Sequence, residues 1–328
     1  MFKFSSSRAG FCATLIAALF LNSLIVCGQT ATEEKQPQAK AQTKDKDKAK
    51  AKTLSSPNER FLRIRKDRKG RPVAMETSIV RYQTTNEDGE KVVVDLIGAV
   101  HVGEKEYYAS LNDQFEKYES LLYELVAPEG TVIPKGGRVE DDDSIALNPV
   151  GGIQKGLTTV LDLEFQLEQI DYTKKNFVHA DMTPTEFAES MSQNEESLGG
   201  YALKAVGQSM AMQASGRDTG TAGMVMALFS SNKSMRMRRV MSQQMINMDA
   251  GLTMFEGKDG STIIDHRNAK CMEVLKRELA SGKKKIAIFY GAGHLADMEK
   301  RLISDFQMKV GGQKWIPAWT LTKRKQQR

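Results

Sequence analysis

Four short stretches turn apolar for a few residues and then stop. They are VVVDLIGAV (residues 92–100), SLLYELVAP (120–128), NFVHADM (176–182) and KKIAIFYGAGH (284–294). Apolar runs this short, rich in branched and aromatic side chains, predict buried strands. NEDG at residues 86–89 separates AMETSIVRYQTT from KVVVDLIGAV and predicts a hairpin. Residues 104–118 repeat at helical period, with Tyr107, Tyr108, Leu111 and Phe115 on one face. The strand, helix and strand over residues 91–128 form a unit whose two strands are expected to pair in parallel. Thr183, Pro184 and Glu186 spell a capping box with proline at the first helical position. Residues 263–282 predict a helix stopped by Gly282, and residues 295–306 another. KWIPAWTL (314–321) reads as a last strand, placed at a sheet edge by Pro317.

Between residues 189 and 255 the pattern is mostly helical, broken by glycines and rich in methionine. Soft-metal binding or an adaptable peptide groove would use such residues, but helix packing is the expected role. RMRR (236–239) is expected to form a solvated helix face.

The start of the chain reads differently. Lys3 and Arg8 precede an apolar segment, residues 11–26, that Asn22 and Ser23 interrupt, and Val26 and Gly28 fit a cleavage site. Residues 1–28 therefore read as a signal peptide. An uncleaved anchor, or a lipid on Cys27, would instead hold the protein at a membrane. Residues 29–59 are rich in Lys, Ala, Gln and Asp and read as a disordered linker. Residues 60–328 are long enough for one sizeable α/β domain with the helical insertion 189–255. An exported protein, periplasmic or extracellular, is expected. Of three cysteines only Cys271 lies beyond the signal, so no internal disulfide is expected; it reads as a small buried hydrophobe. The net charge of +6 owes much to the N-terminal tract and to residues 323–328. No recognition motif accompanies it, so nucleic acid is not an expected partner.

The candidate chemistry sits where two of the strands end. Gly98 and His101 form Gly-x-x-His, and so do Gly291 and His294. With 26 glycines and four histidines, chance would give about 0.3 such matches. Glycine permits a sharp turn, and a histidine just beyond it lies at the carboxyl edge of the sheet, where open α/β folds bind ligands. If the two strands are neighbours, the imidazoles converge. Glu124, ending the strand of the first unit, reaches the same rim. Two histidines and a carboxylate suit a divalent transition metal with positions left open for water. Arg267, at a predicted helix start, would face an oxyanion.

These residues resemble the TraB/PrgY, GumN and TIKI proteins, part of a wider group with the erythromycin esterases and ChaN-like proteins. The likeness rests on the paired motifs, the glutamate in YELV, and the Arg-Asn pair before the second motif. Here the first motif is Gly-Ala-Val-His where the family often has Gly-Thr-x-His, and LADM follows the second histidine where Leu-x-Gly-Leu is common. The resemblance implies a mixed, largely parallel sheet built from two related halves with surrounding helices. It also implies a metalloprotease-like hydrolase acting on a peptide, or on a small ester or amide. His101, Glu124 and His294 would hold Mn, Co, Zn or Fe, and Arg267 would join them in catalysis. Asn268 matches the residue after that arginine.

Other readings of the same residues stay open. The histidines could bond backbone carbonyls, and Glu124 could pair with Arg267. His179 and Asp181 end another strand and could join the site or stay in the core. His266 is expected to face solvent or cap its helix, and Asp265 to cap it or orient a ligand histidine. Beyond metal-dependent hydrolysis stand a metal-free esterase, a non-catalytic peptide- or haem-binding protein, and a structural envelope protein. Homo-oligomerisation is left open.

Overall fold

The computed structural model describes residues 57–137, 158–197, 230–249 and 261–322, with a few single positions between 199 and 227. The signal, nearly all of the linker, much of the methionine-rich stretch and residues 323–328 lie outside the described residues.

The fold is α/β. In chain order, β1 (Leu62–Lys66), β2 (Pro72–Thr85) and β3 (Lys91–Ala99) are followed by the short β4 (Val102–Gly103). Helix α1 (Lys105–Phe115), β5 (Ser120–Tyr123), β6 (Glu164–Phe165) and β7 (Phe177–His179) come next. Then follow α2 (Pro184–Gln193), α3 (Lys233–Asp249) and α4 (Arg267–Ala280). The last elements are β8 (Lys285–Gly291), α5 (Leu295–Ser304) and β9 (Lys309–Thr320).

Seven strands form one mixed sheet. Its antiparallel side is built on β2, which pairs β1 through its first half, β3 through its second, and β9 along most of its length. The other side is parallel, in the order β3, β8, β5, β7. The hairpin forms as the sequence predicts, with Gly89 at φ +79°. Strand β9 pairs only β2, and its register breaks beside Pro317, so the expected edge position holds.

Side chains of the parallel strands alternate between two cores. Ile97, Ala99, Leu121, Tyr123, Ala287 and Phe289 face one core, which takes Tyr107, Tyr108, Leu111 and Phe115 of α1. Met237, Met241 and Met245 of α3 join that core at a spacing of four, so these methionines are packing. Leu96, Leu122, Ile286, Ile288 and Tyr290 face the second core, with Cys271 and Leu275 of α4 and Leu295, Met298 and Leu302 of α5. The helices thus flank the sheet on both faces.

This layering fixes where a ligand would go. After β3 the chain leaves toward the first core through α1. After β8, its parallel neighbour, it leaves toward the second through α5. Connections departing to opposite faces from adjacent strands open a crevice at their carboxyl ends, the topological switch point of α/β sheets.

Three expectations change. Strand β5 pairs β8 and β7, not β3, because β8 enters between the two strands of the first unit. The two Gly-x-x-His segments share the order strand, turn, helix, but β5 runs parallel to its neighbours whereas β9 returns antiparallel along β2. RMRR is a solvated face only in part: Arg236 and Arg239 are exposed, but Arg238 is buried, donating to Leu161 O at 2.7 Å and to Glu104 Oε1 at 2.8 Å. Its carbonyl and carboxylate partners replace the water a buried guanidinium gives up.

Candidate functional site

The register of the parallel strands sets the site. Ala99 pairs Gly291, and Tyr123 pairs both Phe289 and His179. The residues just past these strand ends, His101, Glu124, Asp181 and His294, therefore gather at one edge.

Glu124 is the centre. It is buried, and each of its oxygens is engaged. Oε2 accepts from the Gly291 backbone N–H at 2.6 Å, and Oε1 accepts from Arg267 Nη2 at 2.8 Å. A β-carbon on Gly291 would stand 3.2 Å from Oε2. The glycine of the second motif is therefore there for close approach. Neither Gly98 nor Gly291 has positive φ, so the sharp-turn argument does not apply to them.

Arg267 opens α4 directly after a π-helical turn, Thr262–His266, a departure from α geometry often found beside functional sites. It is almost wholly buried. Its Nε and Nη2 hold Asp181 through both carboxylate oxygens at 2.9 and 2.5 Å. The fork fits the planar carboxylate bidentately, which a lysine could not do. Asp181 thus joins the site. His179 does not, since its Nε2 bonds Leu125 O at 2.6 Å.

His294 ends a short 3-10 turn, Ala292–His294, and is 6% exposed. Its Nδ1 lies 2.8 Å from Asn268 Oδ1. The amide of Asn268 donates to His294 O at 3.1 Å and to Asp297 Oδ2 at 3.0 Å, and both of those atoms only accept. The orientation of the amide is therefore fixed by chemistry, and its Oδ1 needs a donor. Nδ1 must carry the proton, and Nε2 presents a lone pair. That lone pair lies 3.6 Å from Glu124 Oε1. The ring also packs edge-on against Tyr290.

His101 follows β3 and is partly exposed. Its backbone carbonyl accepts from Gln166 N at 2.8 Å. Burial among protein atoms lowers its basicity, while Glu124 acts to raise it. Desolvation likewise pushes His294 down to about 4. Burial alone would raise Glu124, but Arg267, then the two histidines and the Gly291 N–H, together outweigh it and keep the carboxyl well below its ordinary range. Arg267 stays cationic between its two carboxylates despite desolvation. At neutral pH both imidazoles are then neutral, and one guanidinium faces two carboxylates. The buried cluster carries one net negative charge.

His266 and Asp265 depart from expectation. The ring of His266 is half-buried and does not cap α4: its Nδ1 bonds Ser190 Oγ at 2.9 Å, and no side-chain cap bond is made. Asp265 accepts from Ser261 N at 2.7 Å and closes its own turn.

Among the described residues, no three His, Cys, Asp or Glu side chains are drawn together closely enough to hold a metal ion as they stand. The donor chemistry nevertheless fits a cation. A lone pair aimed at a carboxylate oxygen is repulsive unless a proton or metal lies between them. An imidazole whose other nitrogen donates to a fixed carbonyl is how proteins orient a metal ligand.

No family model, no curated protein and no solved structure matches the chain. Arg267 donates through Nε and Nη2 to carboxylates, so what it does here is hold Asp181 and Glu124. Sequence reasoning assigned Asn268 no role and passed over Gln166 altogether. Asn268 was within reach, as a polar residue beside Arg267 on a helix that must meet the second motif. EFQLEQ, around Gln166, carries no such signal.

Proposed function

We propose that the chain is an exported hydrolase of the TraB/PrgY, GumN and TIKI kind. It would use a divalent transition metal to cleave an amide or ester bond, with a peptide as the favoured substrate. The observation that carries this reading is the neutral His294 Nε2 lone pair facing Glu124 Oε1 inside a cluster of net negative charge. His294, Glu124 and His101 would be the ligands, of Mn, Co, Zn or Fe. The bound metal would supply a water of lowered pKa and polarise the scissile carbonyl. The chain's own residues do the rest. Asn268 fixes the tautomer of His294, and Arg267 with the Gly291 N–H fixes both oxygens of Glu124. His101, solvent-touched, stands on the side a substrate reaches.

Export rests on residues 1–28. Among the described residues no helix is long and apolar enough to cross a membrane. A second reading keeps the residues without the metal: His294 as a general base beside Glu124, in a metal-free esterase. The spacing of the acidic and histidine side chains favours it, since the three donors are not drawn together.

Metal content decides between them. The full chain, purified without a chelating tag, is expected to hold about one equivalent of a transition metal by mass spectrometry. His101→Ala and His294→Ala should lose it while keeping the fold by circular dichroism. A parent that stays metal-free after reconstitution with Mn, Co, Zn and Fe would sink the metallohydrolase reading and leave the acid/base one.

A further inference from the structure

Gln166 stands out among the buried polar side chains. It is 5% exposed, and among the described residues its Oε1 is buried with no hydrogen-bond donor. A buried carbonyl without a donor is rare in native proteins and calls for a reason. Its other amide atom is engaged: Nε2 donates to Tyr172 Oη at 2.9 Å. Two backbone links hold the residue against the first motif. Its N–H donates to His101 O, and β6 pairs β4 with Phe165 opposite Val102. The Gln166 amide acts to raise the basicity of the His101 ring, the sense expected of an acceptor presented to a ring N–H.

The arrangement is the counterpart of the one at the second motif, with a backbone N–H of Gln166 in the place of the side-chain amide of Asn268 as donor to the histidine carbonyl. There, Asn268 bonds the backbone carbonyl of His294 and holds a ring nitrogen of the same residue. Here, Gln166 bonds the backbone carbonyl of His101, and its free Oε1 is left for a ring N–H. We propose that Gln166 is a positioning residue that accepts the ring N–H of His101, so that both motif histidines turn a lone pair toward Glu124. Each histidine is thereby given its own amide: Asn268 from a helix start, Gln166 from the helical turn after β6. The use of that lone pair on a metal rests on the proposed function; the tautomer itself does not.

The test uses full-length protein with nitrogen-15 histidine, metal-free, at about pH 8, where the imidazoles are neutral. Nitrogen chemical shifts report which ring atom carries the proton. One tautomer is expected at His101 in the parent and a mixture of two in Gln166→Met, which keeps the length but has no acceptor. Gln166→Glu, which keeps an acceptor, should restore the single tautomer. His294 should hold its tautomer in all three, showing that the fold is intact. Cobalt(II) affinity, measured by competition with a chelator, should fall about 10- to 100-fold in Gln166→Met.

A single unchanged tautomer at His101 in Gln166→Met overturns the proposal. A tautomer that depends on Gln166 in a parent that binds no cobalt keeps the positioning role and removes the metal. Should Gln166→Met not fold, Gln166→Leu removes the acceptor in a second way. Mixed tautomers at His101 would then support the proposal, and a single one would overturn it.

Discussion

The two Gly-x-x-His turns lie on neighbouring strands and end at the same edge, yet they are built to different standards. At the second, His294 is buried, its ring is clamped by Asn268 and packed on Tyr290, and α5 follows at once. At the first, His101 touches solvent, and the two residues of β4 intervene before α1. The glycines differ too. Gly291 makes room for a carboxylate, whereas a β-carbon on Gly98 would find only ordinary neighbours, the nearest at 3.4 Å. The same spacing therefore serves two tasks. The second turn is a fixed frame for Glu124, and the first is the side that opens to solvent.

Removing what both turns share should have the largest effect. Arg267→Met leaves Glu124 and Asp181 buried without their cation, and about 3–5 kcal/mol of stability should be lost in urea unfolding. A loss under about 1 kcal/mol would mean that the ion pair is solvated, as surface pairs are.

Acid separates the two histidines. The native His294 ring stays neutral down to about 4, whereas an unfolded histidine takes its proton near 6.5. Between those values the unfolded chain binds the extra proton, so stability falls as pH drops through the window. The loss should approach about 3 kcal/mol by the lower end. In the metal-free protein, His294→Gln should flatten this slope more than His101→Gln does, because His101 is part-exposed. Equal slopes would erase the distinction between frame and open side.

The glycines give the smallest effect. Gly291→Ala should cost about 1 kcal/mol, since the carboxylate of Glu124 must give way. Gly98→Ala should cost less. Thermal melts of the two variants side by side would show the order, and a reversed order would shift the crowding to the first turn.

What was legible in the sequence was local. The buried face of α1, the capping box at Thr183, the hairpin at NEDG and the burial of Cys271 all follow from period and turn chemistry within a few residues. The convergence of His101, Glu124, Arg267 and His294 was readable because strand ends in an α/β sheet share an edge. The neighbours were not. Nothing in SLLYELV says that its partner is a strand far along the chain, and placing β5 beside β3 was the error that followed. Arg238 looked solvated because charge is a poor guide when the partners are carbonyls from Leu161 and a distant Glu104. His266 was misplaced for the same reason, its partner Ser190 lying on another helix. Gln166 was invisible, since only the folded chain brings it to His101.

The position of β8 has a consequence for the order of events in folding. It is the latest of the four parallel strands in sequence and the second of them in space. Every pairing it makes closes a long loop, the kind of contact that slows folding. Until residues 285–291 arrive, β3 and β5 each keep an unpaired inner edge, and such edges invite association with other chains. Glu124 meanwhile lacks both its Gly291 N–H and its histidine. The candidate site is therefore among the last things the molecule completes. A chain stopped before β8 is expected to be sticky and to lack that site altogether rather than to hold part of it.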